Sequence, residues 1–205
     1  MIRRVLQVVR VVPAVLMRTR SHATILALVV ATAAAGCSTS ATLDDYVPAA
    51  EGLSLAYVEE AQALSFDYQS SVEDGVRAIV EAGPADPETD AVTLVIDETV
   101  AYLAVLTDTM GRYLDAFDAL EAPAEVAGEH DAYVSAIGVV HASLPGTRSA
   151  VQAATQLDEV QFAMTSSGFA DGQLRWTASC SALEQAVRDG GSGIDLRCIA
   201  RTSTR

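Results

Sequence analysis

Apolar residues recur with the helical period over most of this chain. The clearest run is Val92, Ile96, Thr99, Leu103, Leu106, Met110, Tyr113, Phe117 and Leu120, alternating steps of four and three. Four heptads on one seam predict a helix packed along most of its length against at least one partner. Val95, Val100 and Leu114 widen that stripe, which points to a bundle and not a two-stranded coil. Asp97, Asp108, Asp115 and Asp118 fall on the solvent side.

Upstream, the residues from Tyr46 to Ala82 carry an 11-residue near-repeat: YVPAAEGLSLA, YVEEAQALSFD and a decayed YQSSVEDGVRA. Eleven residues make about three helical turns, so equivalent positions stay on nearly one face. Tyr46, Tyr57 and Tyr68 then stack with Ala50, Leu53, Ala61, Leu64, Val72, Val76 and Ile79. The opposite face is acidic, which favours a bundle-core stripe over a helix lying on lipid. Pro48 suits the first turn.

Gly83-Pro84-Ala85-Asp86-Pro87 breaks the pattern, and Thr89 or Asp90 can cap the second helix, which reaches about Glu121. After Pro123 the four-and-three spacing returns at Val126, His130, Tyr133, Ile137, Val140 and Leu144. It pauses at Pro145-Gly146 and resumes with Ala150, Ala153, Leu157, Val160 and Met164. Helices of about 37 and 34 residues span roughly 50–55 Å. A third element of similar length, kinked at Pro145, would cover them better than two shorter helices broken there. Ser166-Ser167-Gly168 ends it. A last helix over 171–188 carries Leu174, Trp176, Cys180, Leu183 and Val187, and Gly190-Gly191 stops it. The expected fold is an all-α antiparallel bundle of about four helices over residues 46–205. Glycines and prolines are too clustered for an all-β sandwich.

The N-terminal residues address a different question. Arg18, Arg20 and His22 precede an uncharged stretch from Ala23 to Gly36. As a helix those 14 residues rise about 21 Å, short of the roughly 30 Å hydrocarbon core, so they read as an export signal and not a permanent span. The ending Ala34-Ala35-Gly36-Cys37 resembles the lipobox of bacterial lipoproteins, with alanine at the position three before the cysteine where that family usually has leucine. The resemblance implies a signal peptide over 1–36, lipidation of Cys37 and anchoring on the outer face of a bacterial membrane. A secretory signal cleaved without lipidation and an uncleaved anchor are the alternatives. The polar tract Ser38–Thr42 fits a tether, taken as 37–45. Arg10 and Pro13 interrupt the first 16 residues, so Met17 is the expected start, giving MRTRSHATILALVVATAAAGC.

Charge narrows the partners. All 27 acids lie after residue 36, against 8 arginines, for a net charge of −19; the chain has no lysine. Phosphate contacts need a basic patch, so nucleic acid is excluded as an expected partner. Solubility, or cation capture, fits the charge.

Cys180 and Cys198 are the two cysteines left for the folded part, and an even pair in an exported chain reads as a disulfide. Closing 17 intervening residues, it would stabilise by about 3 kcal/mol in the chain-entropy treatment. The stretch W-T-A-S-C-S-A-L-E-Q-A followed by D-L-R-C (Trp176–Ala186, Asp195–Cys198) is similar to the C-terminal end of actinobacterial helical lipoproteins of unassigned function. That similarity implies a disulfide-closed helical lipoprotein and no activity.

Candidate chemistry is sparse. His130 and His141, with Glu125 and Glu129 nearby, are the only nitrogen candidates for a metal. Neither histidine has the Glu-x-x-His of di-iron bundles, since positions 127 and 138 are Ala and Gly, and there is no HExxH. No GxSxG occurs, and Ser-x-x-Lys is impossible without lysine. Asp189 to Asp195 lacks the acids of a calcium loop and reads as a helix stop. No catalytic residue and no cofactor are therefore expected. The expected function is binding or scaffolding towards an envelope protein or small ligand. Cation capture and cell-envelope hydrolysis are the alternatives.

Overall fold

The computed structural model describes residues 41–165 and 167–198. These residues form helices α1 (Leu43–Ala82), α2 (Pro87–Asp118), α3 (Ala127–Gln152), α4 (Leu157–Thr165) and α5 (Ser167–Asp189), and no strand occurs among them. The all-α bundle and the Cys180–Cys198 disulfide, with Cα atoms 5.6 Å apart, are as the sequence predicts. The signal segment, Cys37 and the start at Met17 lie outside the described residues.

Each helix end has a local cause. The Thr42 side chain accepts the Asp45 N–H at the start of α1, with Asp44 and Asp45 in its first turn. Those two carboxylates complement the partial positive charge there. Pro48 consequently sits one turn further into the helix than the sequence suggests. At the far end Gly83 takes φ 60°, and its N–H reaches the Ile79 carbonyl. A residue with a Cβ is strained there, so glycine ends the helix cleanly. Asp86, not Thr89 or Asp90, caps α2; its carboxylate accepts the Thr89 N–H with Pro87 at the first position. Gly191 (φ 90°) ends α5, with Gly191 N–H to Arg188 O and Ser192 N–H to Val187 O, the paired bonds of a Schellman motif.

The third element differs from expectation. It is not broken at Pro145, and it ends sooner than Met164: α3 runs through Pro145 to Gln152, and the chain turns back over residues 153–156. The seam in fact continues past the proline as Leu144, Thr147 and Val151, all buried, whereas Ala150 and Ala153 are exposed. Pro145 lies on the exposed side, so the backbone bond that it removes faces water. The Glu159 carboxylate fixes the turn by accepting the N–H groups of Thr155 (2.6 Å) and Gln156 (3.2 Å) at the start of α4. That is the reciprocal half of a capping box. The last helix also starts earlier than 171, at Ser167.

Cross-helix pairs give the register. Ser54 meets Tyr113 and Tyr68 meets Thr99, so α1 and α2 are antiparallel. Tyr113 meets Tyr133 and His141 lies over Gly111, so α2 and α3 are antiparallel. Gly172 sits against Val140, and a Cβ there would lie 3.2 Å from Val140 Cγ2, which lets α3 and α5 approach closely. Tyr46 sits beside His130, so α1 and α3 run parallel. Gln152, at the end of α3, is then level with about Tyr68, and the last ~14 residues of α1 run about 21 Å beyond it. The long hairpin is thus not covered along its whole length by α3. Val80 is half exposed, and Val92 and Ile96 are only partly buried, while Val72, Val76, Ala91 and Val95 pack inside. No described helix is long and apolar enough to cross a membrane.

Candidate functional site

All six tyrosines of the chain are in the core, none more than 5% exposed. The repeat explains half of this: eleven-residue spacing keeps Tyr46, Tyr57 and Tyr68 on the buried face of α1, and Ser54 and Ser65 with them. A buried phenol must find a partner or bear the loss of its hydration. Tyr46 OH is 3.0 Å from His130 Nδ1, and Tyr68 OH is 3.0 Å from Thr99 Oγ1. Tyr113 OH bridges Ser54 Oγ (3.0 Å) and Tyr133 OH (2.7 Å). Among the described residues Tyr57 OH and Tyr102 OH have no partner.

Burial raises the pKa of these phenols, pushing that of Tyr113 up to about 12 and moving those of Tyr46, Tyr57, Tyr68, Tyr102 and Tyr133 upward as well. They are neutral at physiological pH and act as hydrogen-bonding and stacking groups. Tyr57 stacks on Tyr113 (centroids 4.6 Å) and meets Trp176 edge-on (5.7 Å).

This aromatic cluster floors a cleft between α1 and α5, helices that do not pack closely backbone to backbone. Tyr57, Tyr113, Tyr133 and Trp176 line its base, and Leu196 to Cys198 cover it. The space inside has room for about one water molecule. Ile194 and Leu196 are buried while Asp195 is exposed, so the tail alternates as an extended segment over 194–196 before Arg197 (φ 56°) turns it towards Cys180. Asp195 N–H donates to Glu51 on α1 (2.7 Å), and Leu196 N–H donates to Glu184 on α5 (3.0 Å). The disulfide then ties Cys198 to Cys180.

The two histidine candidates are not brought together. Both are on α3, eleven residues and about 16 Å apart along the axis. His130 is 4% exposed, bonded to Tyr46 and stacked on Phe117 (5.5 Å). Burial holds it below its ordinary value, against opposing effects of Asp131 and Asp118. His141 is half-buried over Gly111. Glu125 is exposed and Glu129 partly so. The His/Cys/Asp/Glu atoms that do converge are those of Cys180, Glu184 and Cys198, within 4.8 Å, but both sulfurs are committed to the disulfide. The segment from Asp189 to Asp195 stops α5, as its sequence suggested, and the tail that follows is not a surface tail, since Ile194 and Leu196 are buried.

The outer surface is acidic but not uniformly polar. Phe66, Phe162 and Leu174 are each about 70% exposed. The described ion pairs are four: Glu60 with Arg112, Asp74 with Arg77, Asp195 with Arg197 at 3.4 Å, and Glu184 with Arg188 at 3.8 Å, in which the Glu184 side chain is mostly buried.

Sequence reasoning found Cys180 and Cys198 and missed the cleft that they close. The alternation of Ile194 and Leu196 was its one trace. Comparison of the chain with protein-family models, with curated proteins and with solved structures finds no match.

Proposed function

We propose that this chain is a bacterial lipoprotein, held at Cys37 on the outer face of the membrane. Its bundle would present a surface to an envelope protein as a binding or scaffolding module. The observation that carries the binding part is the contrast between surface and interior. Three large apolar side chains, Phe66, Phe162 and Leu174, stand in solvent on an acidic bundle, while the cleft inside has room for about one water. Exposed aromatics suit contact with another protein, and so small a cleft does not suit enclosure of a metabolite. The disulfide supports an oxidising, extracytoplasmic location, and the lipobox-like Ala34–Cys37 supplies the anchor. Cation capture has less support, because His130 is occupied by Tyr46 and His141 lies far along the helix.

A photo-crosslinking side chain placed singly at 66, 162 or 174 in the anchored protein, in intact cells, tests this. A discrete adduct that depends on position and is lost in Cys37→Ala supports the reading. Absence of any discrete adduct at all three positions contradicts it.

A further inference from the structure

The C-terminal strap sits in its cleft as a ligand sits in a site. Ile194 and Leu196 are buried and Asp195 between them is exposed, the alternation of an extended segment over 194–196, and Leu196, Arg197 and Cys198 line the cleft. Its backbone, not its side chains, makes the polar contacts, with carboxylates reaching in from both walls, Glu51 and Glu184. Recognition of this kind accepts any extended segment with apolar residues at positions i and i+2.

The fit of the strap is imperfect in three ways. The Tyr57 hydroxyl on the floor has no partner among the described residues. Room for about one water remains beneath the strap. Arg197 adopts φ 56° to bring Cys198 over Cys180, a left-handed conformation that a residue with a Cβ adopts only under constraint. The Asp195 carboxylate, which accepts the Arg197 N–H (3.1 Å), holds this turn together with the disulfide, and the disulfide makes the strap an intramolecular ligand at high effective concentration.

From this we infer that the α1–α5 cleft is a docking site for an extended peptide, occupied in cis by residues 194–198 and opened to a partner segment when Cys180–Cys198 is reduced. Two thiols of a dithiol donor become its disulfide, the Cys180–Cys198 bond breaks, and both cysteines leave as thiols with the two electrons and two protons supplied. The strap then keeps only its two N–H contacts and two apolar side chains, and a second segment of the same pattern competes with it. The inference does not rest on the exposed residues named above, and on the outer face of a membrane it requires a dithiol donor acting outside the cytoplasm.

The test uses the full mature chain and the fluorescein-labelled peptide Ser-Gly-Ile-Asp-Leu-Arg, the sequence of residues 192–197. The sole tryptophan, Trp176, lies under the strap and reports on its release. With dithiothreitol the protein should bind the peptide at least tenfold more tightly than the oxidised protein does. Trp176 emission should shift to the red on reduction and return on peptide binding. A peptide with aspartate at both apolar positions should not bind. If reduction unfolds the chain, Leu196→Asp with the disulfide intact frees the cleft without it and should bind the same peptide. Equal binding by oxidised and reduced protein overturns the inference, as does no binding by a folded reduced chain or a folded Leu196→Asp. Dimerisation on reduction without peptide binding also overturns it, in favour of strap exchange between two copies.

Discussion

Two phenol-to-phenyl substitutions one helix apart are expected to change stability in opposite directions. Tyr57 and Tyr113 stack on each other, are both 5% exposed, and keep that stacking as phenylalanines. Their hydroxyls differ. Tyr113 OH joins Ser54 on α1 to Tyr133 on α3, so Tyr113→Phe deletes two buried hydrogen bonds and leaves the Ser54 hydroxyl, 1% exposed, unpaired. At about 1 kcal/mol per net bond plus part of a desolvation cost, the loss is roughly 2–3 kcal/mol. Tyr57 OH is desolvated with no partner, so Tyr57→Phe removes a cost and nothing else, and stability should rise by about 1 kcal/mol. For a domain of this size these become a fall of roughly 5–10 °C and a rise of roughly 2–4 °C in Tm. Urea unfolding followed by far-UV circular dichroism gives the free energies. A cycle with Ser54→Ala isolates the Ser54–Tyr113 coupling. Loss of 1 kcal/mol or more in Tyr57→Phe, or less than about 0.5 kcal/mol in Tyr113→Phe, refutes the assignment of a satisfied and an unsatisfied phenol.

Pro145→Ala should stabilise by about 1–2 kcal/mol, because α3 is continuous there and alanine restores an exposed backbone bond; a neutral or negative thermal shift would contradict the reading that the proline costs α3 a backbone bond. Gly52→Ala, in mid-helix with open space where its Cβ would stand, should raise stability by about 0.5–1 kcal/mol in the same assay. The folded-state pKa of His130 is lowered by burial, so the unfolded chain takes up its proton first on acidification. Its stabilising effect is complete above the ordinary value of about 6.5 and is lost as pH falls from there towards the folded-state value. Tm measured between pH 7.5 and 5.5 should fall more steeply in the wild type than in His130→Gln, and parallel curves would contradict the assignment.

The sequence made the helices legible where the seam was apolar without interruption, as from Leu103 to Phe117. It misled where a small polar residue occupied a seam position. Thr147 carries the stripe of α3 past Pro145 but reads as a gap, so the pattern suggests a kink at the proline, and the turn over 153–156 with its Glu159 cap goes unread. Ser54 goes unread for the same reason, and Thr99 is legible as a seam position but not as a hydrogen-bonding one: their hydroxyls find partners only once the register sets Tyr113 and Tyr68 against them. The tyrosine repeat was visible as a stripe, but its polar partners come from α2 and α3, and no local pattern encodes them. The strap was the least legible part, because two alternating apolar residues after a glycine cluster look like any surface tail. What exposes it is its capture by Glu51, 144 residues away in sequence.

The most direct single test of the lipoprotein reading is the intact mass of the mature protein extracted from membranes. The expected species begins at Cys37, carries a thioether-linked diacylglyceryl group, and is two hydrogens lighter than the fully reduced chain because Cys180 and Cys198 are joined. An unmodified chain recovered in the soluble fraction, or one retaining residues before Cys37, would contradict it.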